Sequence, residues 1–162
     1  MSGSGVRAAL VALFYPTPMR CLACGERDPV EGGILCRECL AMLAAGAPDA
    51  VHAGGDISVA VAAHPYAGPA GALVRALKYH AMTSLAREMG DEIYAALRAA
   101  GIAPPERVAF VPMHRARRMC KFFDQSELIA RAVAENMGMR EEKLLRRVRR
   151  CRQQAGLDSR EA

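Results

Sequence analysis

A chain of 162 residues suits one domain with at most a small satellite module, and its 52% apolar content can bury a core, though a thin one: much of that fraction is alanine and only 5% of the chain is aromatic. No apolar run approaches the length of a membrane span, and the AALVALF segment after Arg7 is ended by Tyr15-Pro16 before it could serve as a secretory signal, so the chain reads as cytoplasmic. The net charge of +5 is unevenly placed, with 13 Lys/Arg against 5 Asp/Glu in residues 107–152, and such a local excess predicts a surface that faces polyanions.

In chain order, residues 7–14 predict two helical turns before Pro16 and Pro18 stop them. Next comes the most specific local signal, Cys21-Leu-Ala-Cys24 followed after eleven residues by Cys36-Arg-Glu-Cys39. Two such pairs supply four thiolates that tight turns can aim at one ion, and Gly25 and Gly32-Gly33 allow the turns of a zinc-ribbon-like module. Four thiolates leave no open position, so the expected Zn²⁺ is structural. Disulfides and a redox pair compete with this reading. Nothing places the chain in an oxidising compartment, and one pair would suffice for redox work. The module is taken as residues 1–45 and closes with a short helix over 36–45. Residues 46–56, rich in Ala, Gly and Pro, read as a linker, with His52 at its surface.

The main domain is expected over residues 57–162. Alternating Ile57, Val59 and Val61 predict a strand. A short helix over 70–79 carries Leu73, Val74 and Leu77. A longer one follows, capped at Thr83 or Ser84, with Leu85, Met89, Ile93 and Leu97 at helical spacing and a stop at Gly101. Val108, Phe110 and Val111 before Pro112 suggest a parallel strand covered on both faces. Asp124 stands at an N-cap position with Glu127 three residues on, a capping-box pattern, and the helix it opens carries Leu128, Ile129, Ala132, Val133 and Met137 to a stop at Gly138. Between strand and helix lies a basic loop with His114, Arg115, Arg117, Arg118 and Lys121. Its place at the carboxyl end of a strand and the start of a helix makes it a phosphate-site candidate, with a solvated basic loop as the alternative. This order of elements argues for an α/β fold with a mostly parallel sheet. After Gly138 the chain is strongly basic, and Cys120 and Cys151 sit among its cations, which favours their thiolates.

The pieces LFYPTPMRCLACG, LCREC, AAHPYAGPAGALVRALKYHAMTSLA, FVPMHRARRMCKFFDQSELIARAVA and RQQAGLDSRE, in that order and over nearly the whole chain, resemble the ComF family. These are competence-associated proteins with a Cys-rich zinc module ahead of a type I phosphoribosyltransferase-like domain of Rossmann-like, mostly parallel architecture. The resemblance implies that Pro112, His114, Arg115, Arg118, Lys121 and Gln125 meet the pyrophosphate of phosphoribosyl pyrophosphate (PRPP). It likewise implies that Lys78, Arg146, Arg147, Arg149, Arg150, Gln154 and Arg160 form a polyanion-facing group, most of it in a hood over residues 140–160. Single-stranded DNA and a competence ATPase are the partners it suggests, and Mg²⁺ would accompany PRPP only in a completed domain.

Two departures shape the expectation. Lys121-Phe122-Phe123-Asp124-Gln125 stands where the family pattern is Arg-Gly-Phe-Asn-Gln, so a glycine is lost and a carboxylate added beside the phosphate loop. The family's following strand, acidic pair and Thr/Gly-rich turn, which grip the ribose phosphate, have no counterpart, and Glu141-Glu142 is the nearest acidic pair. The chain therefore resembles the first two-thirds of a ComF protein. No catalytic residue is assigned, and a binding module ranks above a PRPP-handling enzyme, with an inactive fragment as a third reading. Self-association through an uncovered sheet edge is expected.

Overall fold

The computed structural model describes residues 20–46, 48–51 and 54–148. The helix expected over 7–14, His52, and the positions Arg149, Arg150, Cys151, Gln154 and Arg160 lie outside them. Among the described residues the protein combines helices with two small two-stranded sheets. The chain divides into two compact units. One takes in the described residues up to Leu85 with Ala95–Ile102, and the other Ala86–Tyr94 with the described residues from Ala103 onward.

In the first unit, helix α1 (Arg37–Ala44) follows the second cysteine pair. Strand β1 (Asp49–Val51) pairs antiparallel with β2 (Ala60–Ala62), with Asp49 opposite Ala62 and Val51 opposite Ala60. The strand expected over 57–63 is thus shorter, and it belongs to an antiparallel pair with a segment inside the stretch read as a linker. Gly54 and Gly55, both at positive φ, let the chain turn back between the two strands. Helix α2 (Gly68–Tyr79) starts with proline in its first turn, where a missing N–H costs nothing. It buries Ala72, Ala76 and Leu77 and packs on α1.

Helix α3 (Leu85–Ala99) supplies its Ala86–Tyr94 portion to the second unit. There, strand β3 (Val108–Ala109) pairs in parallel with β4 (Glu141–Glu142), Val108 opposite Glu141 and Ala109 opposite Glu142. Parallel neighbours need a crossover, and helices α4 (Arg115–Lys121) and α5 (Gln125–Asn136) provide it. Val108 and Phe110 are buried against Ala130 and Ala134 of α5, with Met137 and Met139 packed alongside. Ala109 and Val111 face outward, so this strand is covered on one face only, where the apolar run suggests two. The basic stretch expected as a loop is largely α4. Residues 143–148 form no regular element, and Leu144, Leu145 and Val148 are exposed there.

Gly90 sets how closely α3 and α5 approach. A Cβ built on it would lie 2.4 Å from Ala132 Cβ and 3.1 Å from the Val133 backbone nitrogen, both on a rigid helix. On either side, Arg87 reaches Glu135 at 2.8 Å and Asn136 reaches Asp91 at 2.6 Å. Glycine to alanine in a helix is ordinarily stabilising by about 1 kcal/mol; here the overlap reverses the sign. Gly90→Ala is expected to lower stability by roughly 1–3 kcal/mol, as overpacking does, and a urea melt of the variant beside the parent checks it.

Candidate functional site

The four cysteines meet in the first unit. Cys21, Cys36 and Cys39 are buried and Cys24 half-buried, and their Sγ atoms all lie within 4.8 Å of one another. Cys24 Sγ and Cys36 Sγ are 3.9 Å apart. That is far beyond a disulfide bond, and close to the roughly 3.8 Å edge of a tetrahedron of sulfurs each about 2.3 Å from a central ion. The backbone explains the convergence. Gly25, at φ +69°, closes the first turn with its N–H on the Cys21 carbonyl at 2.8 Å. Leu22 donates to the Ile34 carbonyl and Val30 to the Leu35 carbonyl, which ties the two cysteine segments side by side. Cys36 is also the N-cap of α1, and its own N–H donates to Cys21 Sγ at 3.3 Å. One cysteine is thus both a potential metal ligand and the residue that starts a helix, whose N-terminal end favours negative charge.

The thiols differ in how readily they ionise. Burial opposes the Cys21 thiolate, but N–H groups of Cys24, Cys36 and Ala23 outweigh it and hold that thiol down to about 6. Burial and the neighbouring thiols push Cys39 up to about 12. Beside the cluster, Arg27 lies 3.6 Å from Glu38, and the pairing raises the arginine's already high pKa further. Four soft, converging sulfur donors fit a tetrahedral metal ion, held by Cys21, Cys24, Cys36 and Cys39 and closed to further ligands.

The cationic residues singled out from the sequence are spread across both units. Lys78 belongs to the first, where its ammonium lies 5.9 Å from the centre of the Tyr66 ring. In the second, Pro112 is buried, His114 and Lys121 are half-buried, and Arg115, Arg146 and Arg147 are exposed. Gln125 is half-buried, and its Oε1 has no hydrogen-bond partner among the described residues. Arg118 Nη1 lies 2.9 Å from Glu127 Oε2, an ion pair by distance whose angle is not that of a hydrogen bond. Glu127 also faces Arg131 at 3.7 Å, and Arg131 Nε donates to Glu141 at 2.9 Å. Burial works against the charged form of Glu141, but Arg131 prevails and holds its carboxyl below the usual range. This chain of charges links α4, α5 and β4. Glu127, expected to complete a capping box, is committed to it instead.

Asp124 carries the N-cap alone. Its Oδ1 accepts from the Ser126 N–H at 3.1 Å and its Oδ2 from the Met113 N–H at 2.6 Å, and the residue is only 2% exposed. The N-terminus of α5, where a phosphate would sit, therefore already holds a carboxylate of the chain itself. The preceding junction is unusual too. Phe122 follows α4 in the left-handed region, at φ +62°, with its N–H on the Arg118 carbonyl at 2.9 Å. Glycine normally fills such a helix-ending position, and a side chain there costs about 1–2 kcal/mol. That a phenylalanine takes this left-handed turn is visible only in the fold.

No family model, curated protein or solved structure matches the chain.

Proposed function

We propose that this chain is a ComF-like basic binding module, stabilised by zinc, that holds single-stranded DNA through its phosphates on the cytoplasmic side of DNA uptake, beside the ATPase that drives it. The observation that carries this reading is a division among the cations. Arg87, Arg107, Arg118 and Arg131 are each paired with a carboxylate and serve the fold. Arg115, Lys143, Arg146 and Arg147 are exposed and have no ion pair among the described residues. Exposed cations without internal partners are what a phosphate backbone neutralises, with release of its counterions. Zinc is the ion of choice because tetrahedral four-sulfur sites suit zinc or iron, and zinc brings no redox chemistry to a closed structural centre.

The β3–helix–β4 crossover supports an α/β reading of the second unit and, by the family resemblance, a partial phosphoribosyltransferase-like domain. A transferase acting on PRPP with Mg²⁺ has less support, because Asp124 occupies the anion seat at α5.

The test is binding of single-stranded DNA as a function of salt. Affinity should fall steeply as salt rises, with little sequence preference. Replacing Arg146, Arg147, Arg149 and Arg150 by alanine should flatten the slope by roughly 0.7 for every phosphate that is no longer neutralised. Arg20→Ala, at a residue already turned toward Asp28 and the Glu26 carbonyl, should leave the slope as it is. Salt-independent binding, or none at low ionic strength, would count against the proposal.

A further inference from the structure

We infer that Phe122 is a stacking platform for a nucleobase, placed on the surface at the end of α4 to seat one base of a single-stranded nucleic acid whose phosphates lie along the neighbouring cations. The inference rests on the DNA-binding reading above and names a contact within it.

Two observations point the same way. The backbone at Phe122 is in the left-handed region, which disfavours an aromatic residue. The ring then gains nothing from burial, because Phe122 is 93% exposed whereas the adjacent Phe123 is half-buried. Folding alone thus favours glycine here on both counts, and an aromatic that satisfies neither points to a contact outside the fold. The surroundings indicate what that is. Residues 112–123 carry His114, Arg115, Arg117, Arg118 and Lys121 and no carboxylate. Of the acids close by, Asp124 is buried and spends both oxygens on backbone N–H groups, and Glu127 is taken up by Arg118, which leaves Arg115 as the exposed cation of this segment without an ion pair among the described residues. An exposed π-face within a purely cationic segment matches the two halves of a nucleotide, and single-strand binders combine these elements, because every base offers a face to stack on. Met119 within that segment and Val111 just before it are exposed, so an anionic lipid surface is the competing occupant. Helix α4, Arg-Ala-Arg-Arg-Met-Cys-Lys, has Met119 as its one large apolar side chain, and interfacial binding scales with buried apolar area, so the nucleobase is favoured.

The chain contains no tryptophan, so Phe122→Trp installs a single indole at the proposed contact. Oligothymidylate should quench its fluorescence, and an abasic strand of equal length should not. Phe122→Gly relieves the backbone and should melt at a higher temperature than the parent, yet bind oligothymidylate roughly tenfold more weakly by fluorescence anisotropy. Equal affinity of Phe122→Gly and the parent, an indole left unquenched in a complex that forms, or a lower melting temperature for Phe122→Gly would each overturn the stacking role while leaving DNA binding in place. An indole that responds to phosphatidylglycerol vesicles and not to oligothymidylate would assign the ring to a membrane surface and overturn the inference. A parent protein that binds no single strand at low salt would remove the DNA-binding reading and the inference together.

Discussion

Stripping the metal with a chelator is expected to unfold residues 21–44 and to leave the β3–α5–β4 core folded. The buried part of the cysteine module is Cys21, Leu35, Cys36 and Cys39, with Leu22, Ala23, Ile34, Leu43 and Leu73 packed around it in part. Leu35 is the one fully buried aliphatic side chain in that cluster, far too little apolar area to order the segment without a central ion. Zinc bound to small Cys-rich modules contributes on the order of 10–16 kcal/mol, and in such modules metal binding and folding are one event. Because Leu73 belongs to α2, the loss should reach that helix as well. Hydrogen exchange would show it as reduced protection over 21–44 and part of 68–79, with protection over 125–136 unchanged. Elemental analysis should find one zinc per chain, and Cys36→Ser, which removes a ligand, should abolish it. Since the cysteines bind as thiolates, capture releases protons and weakens on acidification. Reduced, gently purified protein without metal would sink the assignment.

Asp124→Ala should cost about 2–4 kcal/mol. Losing an N-cap side chain costs about 1 kcal/mol, and leaving the Met113 N–H without its acceptor adds about 1–3 kcal/mol. Asp124→Asn retains an acceptor oxygen and should lose less than half as much. Denaturant melts of the two variants measure the difference. If Asp124→Ala unfolds at the parent's midpoint, the tie between Met113 and α5 is not what holds this junction.

Legibility in the sequence followed the range of the interactions. The cysteine spacing and the cap at Asp124 are local patterns set by residues close in sequence, and both can be placed from the residues alone. Helix α4 was also local. Arg-Ala-Arg-Arg-Met-Cys-Lys contains no proline, glycine or β-branched residue, and its helical propensity should have outweighed its charge. The strands were harder. Asp49-Ala50-Val51 has little β-propensity, and it is extended because β2 pairs with it. Glu141-Glu142 would be a poor strand anywhere else. Beside β3, Arg131 and Arg107 take up its two carboxylates. Val108 and Arg107 lie more than thirty residues before Glu141-Glu142, so no short window of sequence shows that pairing.

The metal centre has a consequence for the order of folding. All four ligands lie between residues 21 and 39, and only Leu73 among its packed neighbours comes from far downstream. Closing so short a loop costs little entropy. On the ribosome, where N-terminal segments emerge first, the ion can be captured while β3, α5 and β4 are still being synthesised. Their parallel pairing must wait for residue 142, so a metal-closed N-terminal module can form before the second unit is complete.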